Sequence, residues 1–360
     1  MQTESKKMIS ASRHRNLARV AERMAIVSLA ASLAACGGGG GDSGTPTPPP
    51  PPPAPAPAPA SAGDLSTTVH ATTYAAGSRQ ALAYAVLNTV RLTGGYGTLA
   101  QSADLDAETQ NQADYVSADD IVINTVLGGP MYVDLTVLRE PGDLELAHAQ
   151  LPGTPGFIAY TPAARATHFG YTSANLAEVS AAYTTLPAPT TDSTECLARL
   201  LASPGHRQGL LDPRFRDVGI GFDTLAPAAT DGSLFAMGTC YLTTGAATGA
   251  ATAPAGWAGI YPPDGSTVSA LDDGHGHGYA PSVVVDSSLT LTVNSFVVTD
   301  ANGTLVPVTL GLDADTSLTN WAFATPNAAL APNTEYTVTF NGSAGGRAIN
   351  KTWRFTTPAS

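Results

Sequence analysis

The stretch from Pro46 to Pro59 constrains this chain more than any other. Every residue in it is Pro or Ala except Thr47. Proline lacks an amide hydrogen and locks its backbone angle, so such a run enters neither a helix nor a sheet. It favours an extended polyproline II spacer of roughly 45 Å at about 3.1 Å per residue. The five glycines Gly37 to Gly41 lie just before it. Residues 37–63 therefore read as a linker, and any folded core must be built from residues C-terminal to it.

Ahead of the linker stands a basic leader with Lys6, Lys7, Arg13, Arg15, Arg19 and Arg23, then an apolar run from Met24 to Ala35. That run is shorter than the roughly 20 residues a permanent transmembrane helix needs, and it suits a signal-peptide core. It ends Leu33-Ala34-Ala35-Cys36. Small side chains there let a peptidase approach the backbone, and a thiol can accept a lipid. The segment resembles the lipobox of bacterial lipoproteins. The resemblance implies a signal peptide over 1–35, lipidation of Cys36, and a lipid-held linker over 36–63. Gly37 after the cysteine, rather than Asp, implies sorting to the outer membrane, with the face left open. The membrane is then reached through the N-terminal lipid.

Beyond the leader, 11 basic and 27 acidic residues remain, a formal charge of −16. Such a surface repels phosphate backbones, which argues against nucleic acid as a partner. Two cysteines remain besides Cys36. In an oxidising compartment Cys196 and Cys240 form a possible disulfide; the alternative is two small buried hydrophobes.

From about Ser66 to Gly245 the pattern mixes helix and strand. Leu82, Val86 and Val90 recur at helical spacing within 81–92, and Gly94-Gly95 stops the run. A second helix is expected over 103–116, with Ser102 as its cap and Asp104, Asp106 and Glu108 as favourable charges near its start. A third is expected over 194–202, ended by Pro204-Gly205. Residues 218–222 and 234–242 read as strands. A Gly/Ala/Thr/Pro string at 246–255 marks a boundary. Past it, short strand-like runs at 282–285, 289–298, 305–310, 334–340 and 352–357 alternate with turn signals such as Asn302-Gly303, as in a β-sandwich. The segments Asn333–Val338 and Trp353–Thr357 resemble bacterial immunoglobulin-like modules, which implies an all-β sandwich over 256–360 serving as spacer or adhesive.

The most informative segment runs from Glu195 through Ser203-Pro204-Gly205-His206-Arg207, then Leu210-Leu211-Asp212-Pro213 and Val218-Gly219-Ile220-Gly221. It resembles the CAP superfamily (cysteine-rich secretory, antigen 5 and pathogenesis-related proteins), also called the SCP domain. Leu87-Asn88-Thr89-Val90-Arg91 is similar to the family's L-N-x-x-R helix. The resemblance covers roughly residues 75 to 245 and implies an α+β chain, with a CAP-type α-β-α sandwich over 66–245. It also implies a cleft with two histidines and two glutamates that in several members binds a divalent metal. Carried across, these are His148, Glu178, Glu195 and His206. His168 competes with His148, and Glu178 stands in a Leu176-Ala177-Glu178-Val179 segment that lacks two residues of the family's G-E-N. Residues 117–146 form a longer gap than the family shows, which implies an inserted hairpin or loop.

Two imidazoles with carboxylates suit zinc. His275 and His277 sit among glycines, which favours an exposed loop over a second metal site. No G-x-S-x-G elbow, H-E-x-x-H or phosphate loop is present, and no nucleophile stands in an activating context. A non-enzymatic binding protein for a small lipid or peptide ligand is the leading expectation. A metal-dependent hydrolase using a glutamate as general base and a purely structural, adhesive surface protein are the alternatives.

Overall fold

The computed structural model describes residues 63–126, 148–150, 152–185, 193–225, 236–268, 279–311 and 319–359, all within the unit Ala58–Ser360. Cys36, the linker, His275 and His277 lie outside the described residues. The chain is mixed helix and sheet, α+β in class.

Helix α1 (Arg79–Gly94) starts at Ser78, whose Oγ accepts from the Ala81 amide, and stops at Gly95 in the left-handed region. Its buried stripe is Ala83, Tyr84, Leu87, Asn88 and Arg91, whereas Leu82 is 47% exposed. The expected Leu82–Val86–Val90 stripe is thus rotated away from the core centre. Polar side chains occupy the stripe because the core supplies partners for them. Asn88 Oδ1 accepts from the Leu99 amide at 2.7 Å, and Arg91 donates to the carbonyls of Gly97, Leu210 and Asp212. Arg91 thereby ties the end of α1 to a chain segment some 120 residues away.

After β1 (Ala100–Gln101), helix α2 runs Ala103–Val126, ten residues past its expected end and into the stretch read as an insertion. A short helix α3 (Pro162–His168), capped by Thr161, had no expectation attached to it. Strand β2 (Leu176–Thr185) follows, then α4 (Ser193–Ala202), α5 (Pro204–Leu211), β3 (Asp217–Leu225) and β4 (Ala236–Gly245). Pro204 and Gly205 end α4 as expected. They also open α5, because proline is preorganised for the first helical position, so His206 lies in a helical first turn instead of a free turn.

The first sheet has the order β1-β3-β4-β2. Helix α2 lies against one face. Cβ atoms built on Gly219 and Gly221 of β3 would fall 2.2 Å from Leu105 and 2.5 Å from Thr109 backbone atoms, so glycine is what lets this helix lie directly on the strand. Helices α4 and α5 cover the other face. Cys196 of α4 is joined by a disulfide to Cys240 of β4, and Thr244 Oγ1 donates to Gly209 O of α5 at 2.7 Å.

The later strands are β5 (Gly259–Tyr261), β6 (Ser266–Thr267), β7 (Ser282–Val284), β8 (Leu291–Asp300), β9 (Leu305–Val306), β10 (Val308–Leu310), β11 (Trp321–Pro326), β12 (Glu335–Ala344) and β13 (Arg347–Thr356). They form two sheets, β10-β11-β7-β5 and β6-β13-β12-β8-β9. Alternation along β12 buries Tyr336, Val338 and Phe340 on one side.

Candidate functional site

Strand β2 explains how the site is assembled. Successive side chains on a strand point to opposite faces. A Cβ built on Gly209 of α5 would meet Val179 and Ala177, so those two residues face α5, and Glu178 between them faces the α2 side.

There Glu178 Oε1 lies 2.8 Å from His148 Nδ1, and Oε2 accepts from Arg165 Nη2 at 2.6 Å. Arg165, on α3, also donates through Nε to Glu108 Oε1 of α2 at 3.0 Å and through Nη1 to the His148 carbonyl at 3.0 Å. Thr243 of β4 donates to Glu108 Oε2 at 2.8 Å. The side chains of Arg165 and Glu108 are fully buried, Glu178 is 1% exposed and His148 is 15% exposed. Tyr241 of β4 meets the His148 ring edge-on, with centroids 6.4 Å apart. Beside them Gln150 binds Asn111, Gln112 and the Ile158 amide.

Two carboxyls share one guanidinium in a dry interior, so full ionisation of both is unfavourable. Burial, and then the charge of Glu178, push the Glu108 carboxyl up to about 9. Burial also raises Glu178, while Arg165 opposes that rise. Glu178, held by Arg165 and His148, is the natural carboxylate of the pair, and Glu108 the neutral acid. A carboxylate only accepts, so His148 carries its proton on Nδ1.

Sequence reasoning placed Glu108 as a favourable charge near a helix start. It is instead wholly buried, because two turns of α2 put Leu105, Glu108, Thr109 and Gln112 on the stripe facing the sheet. A glutamate three residues after a core leucine was the available signal. The part of Arg165 in holding both glutamates was not legible in the sequence.

The structure thus brings His148 and Glu178 together. His168 is exposed at the end of α3 and meets Phe169 edge-on. Glu195 pairs with Arg199 one turn along α4, at 2.8 Å and one-third exposed. It and His206 belong to α4 and α5, on the opposite face of the sheet from Glu178. Among the described residues no three His, Cys, Asp or Glu side chains are grouped to hold a metal ion. Arg165 already neutralises Glu178, so these residues do not fit a metal cage.

No family model matches the chain, and no curated protein sequence matches it. Among solved structures it is similar to CopC from Methylosinus trichosporium OB3b, at 17% identity, covering 28% of this chain and 89% of that one with a TM-score of 0.21. A likeness of that size carries no argument about function. No helix among the described residues is long and apolar enough to cross a membrane.

Proposed function

We propose that this chain is an exported CAP-type lipoprotein of the outer membrane, anchored through Cys36, that binds a small lipid or peptide ligand without turning it over. The CAP-type part is assigned to 66–245 and an immunoglobulin-like part to 256–360. One observation carries the non-enzymatic reading: both oxygens of Glu178 are engaged, by His148 and by Arg165. Glu108 is likewise tied to Arg165 and Thr243. A general base must meet the water or hydroxyl it deprotonates, and these two carboxyls are held by protein partners in the interior, with Glu178 1% and Glu108 0% exposed. Among the described residues of the cluster, the His148 ring is the part that reaches the surface, which suits recognition. A divalent metal at His148 would need its other ligands from outside this cluster.

The test uses the mature chain without a metal-binding tag, stripped with chelator. It is titrated with zinc, with a fluorescent fatty acid and with short peptides, and assayed for ester and peptide hydrolysis. The expected result is saturable binding of one probe, weakened by His148→Ala, with no hydrolysis. Zinc-dependent turnover that disappears in His148→Ala would overturn the proposal. Fractionation of cells expressing Cys36→Ala checks the anchor, with the protein expected to move from the membrane to the soluble fraction.

A further inference from the structure

The site described above uses no residue of the Ser203–Arg207 segment, and Arg207 has a separate set of contacts. Arg207 is fully buried on α5. Its Nε donates to Leu201 O at 2.8 Å and its Nη2 to Ala202 O at 3.2 Å, serving carbonyls at the end of α4 that no helical amide reaches. Its Nη1 crosses to the second half of the chain, where it donates to the Ala280 carbonyl and, at 3.2 Å, to Ser282 Oγ on β7. The guanidinium lies over the Tyr261 ring of β5 at 4.1 Å and within 5.8 Å of the Phe323 ring of β11. A single side chain therefore joins two helices of the first half to three strands of one sheet in the second.

A planar fork with five donors does this where a leucine would only fill space. Neighbouring contacts follow the same seam. Trp257 Nε1 donates to Gly95 O at 2.7 Å, its ring meets Tyr96 edge-on, and the Tyr279 hydroxyl donates to Ala198 O of α4 at 3.4 Å. The boundary stretch at 246–255 thus connects halves that share a buried polar joint.

We propose that the C-terminal β half is a positioning element for α5, with Arg207 as the positioning residue that transmits it. Helix α5, which carries His206, takes its place only when β5, β7 and β11 are docked against it. The two halves then form one folded unit in place of a domain on a passive spacer. The inference goes beyond the functional reading above, and its test involves no ligand and stands or falls separately.

The experiment measures amide hydrogen exchange in the full mature chain, comparing peptides covering 204–211 with peptides covering 176–181. Two variants lie across the seam from α5, Ser282→Ala and Tyr261→Leu, and a third is Arg207→Lys. The expected result is exchange in 204–211 faster by at least about tenfold in all three, with 176–181 unchanged, since hydrogen bonds to a charged group and a ring face are removed selectively. Lysine is expected not to rescue, because an ammonium cannot span both sets of acceptors. Parent-like exchange in 204–211 in all three variants would overturn the proposal. Should Tyr261→Leu or Arg207→Lys fail to fold, a protease site inserted in the exposed turn 247–250 serves instead. After cleavage of the folded chain, fragments that co-elute and melt in one transition support it, and fragments that separate refute it.

Discussion

His148 Nδ1 sits 2.8 Å from Glu178 Oε1 on a strand whose adjoining residues, Ala177 and Val179, face α5 across the opposite side of the sheet. The strand thus divides the candidate residues. Glu178 is paired with a histidine and a buried arginine on the α2 side, and Glu195 and His206 ride on the helices behind it.

Glu178→Gln removes the carboxylate that neutralises a fully buried guanidinium. Breaking a buried pair from one side costs about 3–5 kcal/mol. The expected outcome is a lower urea midpoint with an unchanged denaturant slope, together with a shifted His148 imidazole resonance.

The raised Glu108 carboxyl gives the protein a specific pH dependence. Its folded value of about 9 exceeds the unfolded value of about 4.3, so the folded state holds a proton that the unfolded state has lost. That stabilisation is full below the unfolded value and declines as pH rises toward 9, at up to about 1.4 kcal/mol per pH unit. Glu108→Gln keeps a neutral donor of the same shape. Urea midpoints of parent and variant between pH 5 and 9 are expected to converge or cross as pH rises, with the parent showing the steeper fall.

The Cys196–Cys240 disulfide spans a sequence separation of 44 residues between two fully buried sulfurs. Closing a loop of that length restricts the unfolded chain, worth about 2–4 kcal/mol. The double variant Cys196→Ala/Cys240→Ala is expected to lose stability of that order in chemical denaturation, and reducing agent is expected to have no effect on it.

Gly219→Ala places a methyl group 2.2 Å from the Leu105 backbone, so α2 must lift from β3. Overpacking of this kind costs about 1–3 kcal/mol or more. Gly205→Ala is the control, because nothing lies within 4 Å of its Cβ position and alanine favours a helix by up to about 1 kcal/mol. Thermal melts are expected to fall for the first variant and to hold or rise for the second.

Much of the architecture was legible in the chain. The Gly94-Gly95 and Pro204-Gly205 stops located helix ends, because these residues act through their own backbone and need no partner. The periodicity of Leu82, Val86 and Val90 pointed to a helix, but to a face other than the one buried. Asn88 and Arg91 enter the core only because carbonyls distant in sequence meet them there.

The site divides along the same line. Local pattern and resemblance singled out His148, Glu178, Glu195 and His206. The placement of the first two against Arg165 and Glu108, and of the last two behind the sheet, came from the strand alternation of β2 and from packing between elements up to 135 residues apart. Backbone preferences are short-ranged and can be read one residue at a time. Which buried charges neutralise one another depends on groups that meet only after the sheet has closed around them.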